Sequence, residues 1–192
     1  MTVQNVMSVC LLAILVIMVQ IRAAILRKRG IRVMLFGKTD KSDFLLVPLV
    51  LAIVYTALAN TFGLPMWSVL LHPFWNSATP GWVGLILCVI SCIGMASTLV
   101  SFGDSFRVGI DENTSDKLIT GGMFRISRNP IYVCFMMFCI GLFLIHRNIV
   151  IAVAFVLFAL AIHRQIVREE KFLAAHYGKE YEEYRKKVRR YL

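Results

Sequence analysis

The chain has 192 residues, is 58% hydrophobic, and carries 21 lysines and arginines against 11 acidic residues, a formal charge of +10. With a mean hydropathy of +0.72, this pairing of apolar bulk and basic charge points to a membrane protein. It argues against a nucleic-acid partner, because the basic residues gather between long apolar stretches and not on a polar, groove-fitting surface.

The first apolar stretch begins a few residues after Met1, has no basic leader region, and runs into "RAAILRKRGIR" without a small-residue cleavage pattern. It is expected to be a retained span near Val6 to Leu26, not a removed signal. Further spans are predicted near Phe44 to Phe62 and Gly81 to Ser101, each long enough to cross roughly 30 Å of hydrocarbon at about 1.5 Å per residue. The final block, "IYVCFMMFCIGLFLIHRNIVIAVAFVLFALAIHR", is too long for one helix, and "HRN" at His146 to Asn148 interrupts it midway. A tight helical hairpin follows, giving spans four and five. Cys10, Cys88, Cys92, Cys134 and Cys139 all lie inside apolar runs, where a thiol serves as a small hydrophobe. Neither a disulfide framework nor a metal site is suggested.

Twenty of the 21 basic residues fall in three segments, Arg22 to Lys41, Arg107 to Arg128 and Arg164 to Arg190, which this span pattern places on one side; Arg147 alone is on the other. The positive-inside rule makes the rich side cytoplasmic, with the N-terminus outside and the C-terminus inside. All 11 acidic residues share that side. The opposite segment, "LPMWSVLLHPFWNSATP", is uncharged, and Trp67, Phe74 and Trp75 suit an interfacial aromatic belt.

Two cytoplasmic segments are too varied to be plain connectors. "FGDSFRVGIDENTSDKLITGGMFRISRN" reads as irregular backbone with turns. "REEKFLAAHYGKEYEEYRKKVRRYL" continues span five, breaks near Gly178, and resumes as an amphipathic helix with Tyr181, Tyr184 and Val188 on one face, suited to lying along an anionic leaflet. Pro130 suits the first turn of span four, where the backbone N–H groups have no intrahelical acceptor. Those groups and the positive helix end, beside Arg125 and Arg128, favour an anion. The hairpin brings Glu169 and Glu170, at the end of span five, back to the same membrane face. Cations at one end, carboxylates at the other, and Phe124, Tyr132 and Tyr177 nearby would suit a zwitterionic, aromatic-bearing cosubstrate. The alternative is that the arginines only enforce topology and the glutamates pair with Arg168 and Lys171 on a solvated helix.

"LITGGMFRISRNPIY", followed after the hairpin by "REEKFLAAHYGKEYEEYRKKVRRYL", resembles the isoprenylcysteine carboxyl methyltransferase and phospholipid methyltransferase superfamily of integral membrane enzymes. The resemblance covers Phe102 to Leu192. The span count and charge pattern predict an all-α fold of five transmembrane helices with a C-terminal cytosolic amphipathic helix. The whole of 1–192 is expected to form one membrane domain, in which 1–101 supply three spans and 102–192 the methyl-donor site. The resemblance further implies S-adenosylmethionine as donor, with Leu118, Gly122 and Phe124 on the approach, then Arg128, Asn129, Pro130, Tyr132, Glu169 and Glu170. Asn129 stands where many members carry histidine. On charge complementarity, Arg128 is assigned to the donor carboxylate and one or both glutamates to its ammonium. The implied acceptor is lipid-like or small and apolar, and membrane lipids are the surroundings; a bacterial cytoplasmic membrane is the expected location. The rival readings are an NADPH-dependent, sterol-reductase-like membrane enzyme, which this short chain disfavours, and a non-enzymatic small membrane protein. Transport would call for ionisable groups at mid-membrane depth.

Overall fold

The computed structural model describes residues 2–30, 44, 46–103 and 118–192. The basic stretch 31–43 and the turns expected around Asn113 to Asp116 lie outside the described residues. Those described form helices α1 (Val3–Lys28), α2 (Leu46–Phe62), α3 (Thr79–Phe102), α4 (Pro130–His146), α5 (Ile149–Tyr177) and α6 (Lys179–Lys187), with 3₁₀ turns at Ser68–Leu71 and Gly122–Arg125. No strand occurs among the described residues. Three helices, α1, α3 and α5, are long and apolar enough to cross a bilayer. The other two apolar helices, α2 and α4, have 17 residues each, at the short end of what a crossing requires.

The most extensive helix contact is between α3 and α4, and glycine sets its closeness. A Cβ on Gly84 would lie 2.5 Å from the Gly141 carbonyl oxygen, and one on Gly141 would lie 2.6 Å from the Gly84 carbonyl oxygen and 2.5 Å from Cys88 Sγ. The Ser91 hydroxyl donates across the same seam to the Cys134 carbonyl at 2.6 Å. In lipid, where apolar burial adds no drive between helices, such backbone approach and interhelical hydrogen bonding hold them together. Gly141→Leu is therefore expected to force the pair apart and destabilise the protein by about 1–3 kcal/mol or more. A thermal melt in detergent would read this as a clear drop in midpoint.

The hairpin forms where polar residues interrupt the apolar block. Arg147 takes a left-handed backbone (φ 56°) after α4, and the Asn148 side chain caps α5 by accepting from the Ile151 N–H at 3.0 Å. The Phe74 N–H donates to the Arg147 carbonyl at 2.7 Å, and the Arg147 guanidinium donates to the carbonyls of Trp75 and Ser77. Beside this turn lies a buried polar network. His146 Nε2 is 3.1 Å from Ser8 Oγ, and its Nδ1 is 3.1 Å from Asn60 Nδ2. The Ser8 hydroxyl donates onward to the Asn5 carbonyl at 2.7 Å. With the Asn60 amide donating, Nδ1 accepts and Nε2–H donates to Ser8, so a neutral imidazole joins α1, α2 and α4.

At the opposite end of the hairpin, α5 extends beyond the start of α4 and stops at Gly178 (φ 51°), where α6 begins. The aromatic face of α6 is turned inward, against the expectation that it lies along lipid. Tyr181 (1% exposed) and Tyr184 pack with buried Phe124. Amphipathic spacing announces an apolar face without saying what covers it. Here the turn preceding α4 covers it.

Candidate active site

The chain approaches α4 through Gly122, whose φ of 58° suits glycine, and where a Cβ would collide with the Ser101 hydroxyl. The Met123 N–H donates to that hydroxyl at 3.2 Å, seating the turn on the end of α3. Phe124 then meets Phe102 edge-on, with ring centroids 4.7 Å apart, and the Tyr184 hydroxyl donates to the Phe124 carbonyl at 2.7 Å. Leu118, half-buried, packs against the same aromatic cluster.

Residues 127–129 are held by the segment that follows α6. The Arg128 N–H donates to the Arg189 carbonyl at 3.0 Å, the Ser127 hydroxyl donates to the Arg190 carbonyl at 3.2 Å, and Asn129 Nδ2 donates to the same carbonyl at 3.1 Å. Ser127 also accepts from the Asn129 N–H at 3.1 Å. Pro130 opens α4, and no side chain caps that helix start.

Glu170 sits at the centre. Its Oε1 accepts from Asn129 Nδ2 at 3.1 Å and lies 3.4 Å from Arg128 Nη2. Its Oε2 accepts from Arg190 Nε and Nη2 at 3.0 and 2.9 Å. The Arg128 and Glu170 side chains are each only 8% exposed, that of Arg190 38%. Glu169, half-buried on the neighbouring face, accepts from the Tyr132 hydroxyl at 2.7 Å and from Gln165 Nε2 at 3.0 Å. The hairpin thus brings Arg128, Asn129 and Glu170 into one cluster and Tyr132 and Glu169 into a second. Leu118, Gly122 and Phe124 support the approach from beneath.

Three buried polar atoms in this region have no hydrogen-bond partner among the described residues: Arg128 Nε, Arg128 Nη1 and the Tyr181 hydroxyl. Burial, followed by the Glu170 charge, pushes Tyr181 up to about 12, although Arg128 and Arg185 act against the shift. Tyr184 is likewise pushed up to about 12, mainly by burial. Both hydroxyls are therefore held neutral well above the ordinary phenol range, Tyr184 donating to the Phe124 carbonyl. Their folded values exceed the ordinary phenol value of 10, so the stability they contribute is intact below that value and declines as pH rises through it toward 12. Melting temperature measured from pH 8 to 11.5 should fall at the alkaline end, and less so in Tyr181→Phe.

Arg190, Gln165, Ser127 and Tyr181 belong to this constellation and are not singled out by motif. The hydrogen bond to Glu170 raises Arg190 further above its already high ordinary value. His163 and His176 are engaged elsewhere, the first with the Tyr191 hydroxyl at 2.6 Å and the second stacked on Phe172.

A family model described as phospholipid methyltransferase matches residues 79–180. A probable protein-S-isoprenylcysteine O-methyltransferase of Oryza sativa subsp. indica is 34% identical over 110 residues, covering 56% of this chain and 58% of the relative. The protein-S-isoprenylcysteine O-methyltransferase of Schizosaccharomyces pombe is 34% identical over 103 residues, 50% of this chain and 44% of the relative. Enzyme A of that name in Arabidopsis thaliana is 32% identical over 108 residues, 55% of each. The chain spans about half the length of the curated relatives it matches.

Proposed function

Because the chain belongs to the phospholipid methyltransferase family and is an integral membrane protein with three helices long and apolar enough to cross a bilayer, we propose that it is an S-adenosylmethionine-dependent methyltransferase acting on a lipid-like acceptor. The observation that carries this reading is the buried Arg128, with Nε and Nη1 unpartnered among the described residues, at the uncapped start of α4 and 3.4 Å from the Glu170 carboxylate, with Glu169 next to it in the chain. A cationic fork at a helix start fits a carboxylate, and adjacent glutamates fit an ammonium. The cosubstrate carries both groups.

In this reading α2 and α4 also span, giving five crossings, and the basic segments place the cluster and α6 on the cytosolic side. Arg128 and the first amides of α4 hold the donor carboxylate. Glu169, oriented by Tyr132 and Gln165, takes the ammonium. Tyr132 and Phe124 supply aromatic surface for the adenine or the cationic sulfur. The donor supplies a methyl group already activated by its sulfonium charge, so the protein's tasks are alignment and exclusion of water. An acceptor carboxylate needs no prior loss of a proton, which suits a site whose neighbouring histidines are engaged with other partners. The acceptor we favour is therefore a carboxylate carried on a lipid-like group, in keeping with the names of the plant and yeast relatives.

Calorimetric titration of the detergent-purified protein with S-adenosylmethionine and, separately, with NADPH tests the reading. Saturable binding of S-adenosylmethionine alone is expected. Binding of NADPH instead, or of neither by folded protein, would overturn it.

A further inference from the structure

Glu170 has two oxygens and two arginines, and the arginines are not equivalent. Arg190 closes on Oε2 with a fork, at 3.0 Å from Nε and 2.9 Å from Nη2. Arg128 reaches Oε1 through Nη2 alone, at a looser 3.4 Å, and shares that oxygen with Asn129 Nδ2. A guanidinium beside an open carboxylate closes on both of its oxygens, because paired N–H donors match paired acceptors. Arg128 cannot do so here, since Oε2 is already filled. Its Nε and Nη1 are left buried with no hydrogen bond of normal geometry among the described residues, and the group to engage them is the Tyr181 hydroxyl, on which Arg128 acts by charge and hydrogen bonding.

The charges lead to the same conclusion. One carboxylate and two guanidinium groups leave this cluster with one positive charge in excess, which a bound carboxylate neutralises. With Arg190 absent, Arg128 and Glu170 form a self-satisfied neutral pair, and the reason for an anion to enter is lost.

We propose that Arg190 is a positioning residue for the methyl donor: by occupying Glu170 from the far side, it keeps Arg128 turned toward the donor's carboxylate. This rests on the donor reading above and adds to it a residue outside the segment that the family model matches, which ends at residue 180. Backbone contacts fix the placement independently of the side chain, since the Arg189 and Arg190 carbonyls accept from Arg128 N–H, Ser127 Oγ and Asn129 Nδ2. The fork is therefore presented to Glu170 by a segment already docked on the start of α4.

The test compares two ligands, S-adenosylmethionine and its decarboxylated analogue, which keeps the ammonium and sulfonium but lacks the carboxylate. In Arg190→Gln, affinity for S-adenosylmethionine should fall about tenfold or more, while affinity for the analogue stays within about twofold of the unaltered chain. Arg190→Lys keeps the charge and loses the fork, and should fall between the two. If Arg190→Gln does not fold, the same ligand contrast is read on Arg190→Lys. An equal loss for both ligands would make Arg190 a simple anchor of the chain and overturn the proposal, as would no loss for either. If the unaltered chain bound neither ligand, the donor reading itself would fail and this proposal with it. Failure confined to the variants would leave the donor reading standing.

Discussion

Glu170→Gln is expected to abolish saturable S-adenosylmethionine binding at concentrations that fill the unaltered chain, and to lower the melting temperature as well. The carboxylate is almost fully buried and faces Arg128, Arg190 and the Asn129 amide. Replacing one of its oxygens by an NH₂ group leaves two guanidinium groups without a counter-charge and sets donor against donor. Removing one partner of a buried ion pair costs about 3–5 kcal/mol because the remaining charge is uncompensated. Part of that cost appears as lost stability, since Glu170 joins α5 to the start of α4 and to the segment after α6. The rest appears as a loss of donor affinity on the order of a hundredfold, because Glu170 fixes Arg128 and Asn129 at the start of α4; the added positive charge alone would favour an anion, so the loss is one of position. Calorimetry together with a detergent melt would separate the two. Unchanged affinity in a folded variant would remove Glu170 from the site.

Arg128→Met should behave differently. Methionine fills much of the same volume, and Glu170 retains Arg190 and Asn129 as partners, so the fold should survive with a small shift in melting temperature. The donor carboxylate loses a buried guanidinium whose Nε and Nη1 have no hydrogen-bond partner among the described residues. Loss of one member of a desolvated, hydrogen-bonded charge pair costs about 2–5 kcal/mol, a weakening of roughly thirtyfold or more. The expected outcome is a large rise in the donor's dissociation constant with little change in stability. Comparable binding in Arg128→Met and the unaltered chain would mean that the carboxylate is held elsewhere.

The helices are legible in the sequence where polarity interrupts an apolar run. His146 to Asn148 marks the hairpin because the apolar block is too long for one crossing and this is its midway polar step, and α4 ends and α5 begins around it. The meeting of Arg128 with Glu170 is legible for the same reason: a hairpin returns the end of one helix to the start of the other. Arg190 is not legible. It sits in a run of lysines and arginines that has the composition of any solvated or membrane-facing basic segment, and its contact lies 20 residues from Glu170 and 61 from Asn129. Nor does the spacing of Tyr181 and Tyr184 show that their face meets Phe124, since periodicity gives the existence of an apolar stripe and not its neighbour. The closeness of α3 and α4 hides similarly in Gly84 and Gly141, two glycines among the 12 of the chain.

The docking of residues 189 and 190 on residues 127–129 also bears on the order of synthesis. Asn129 is made 61 residues before Arg190, so the start of α4 waits for partners that are joined to the chain only after all of α5. Until the segment after α6 folds back, Ser127, Arg128 and Asn129 lack the two carbonyls that seat them, and Glu170 lacks the Arg190 fork. The cluster is therefore completed last, and a chain cut before Arg189 would keep every helix while losing the contacts that seat residues 127–129.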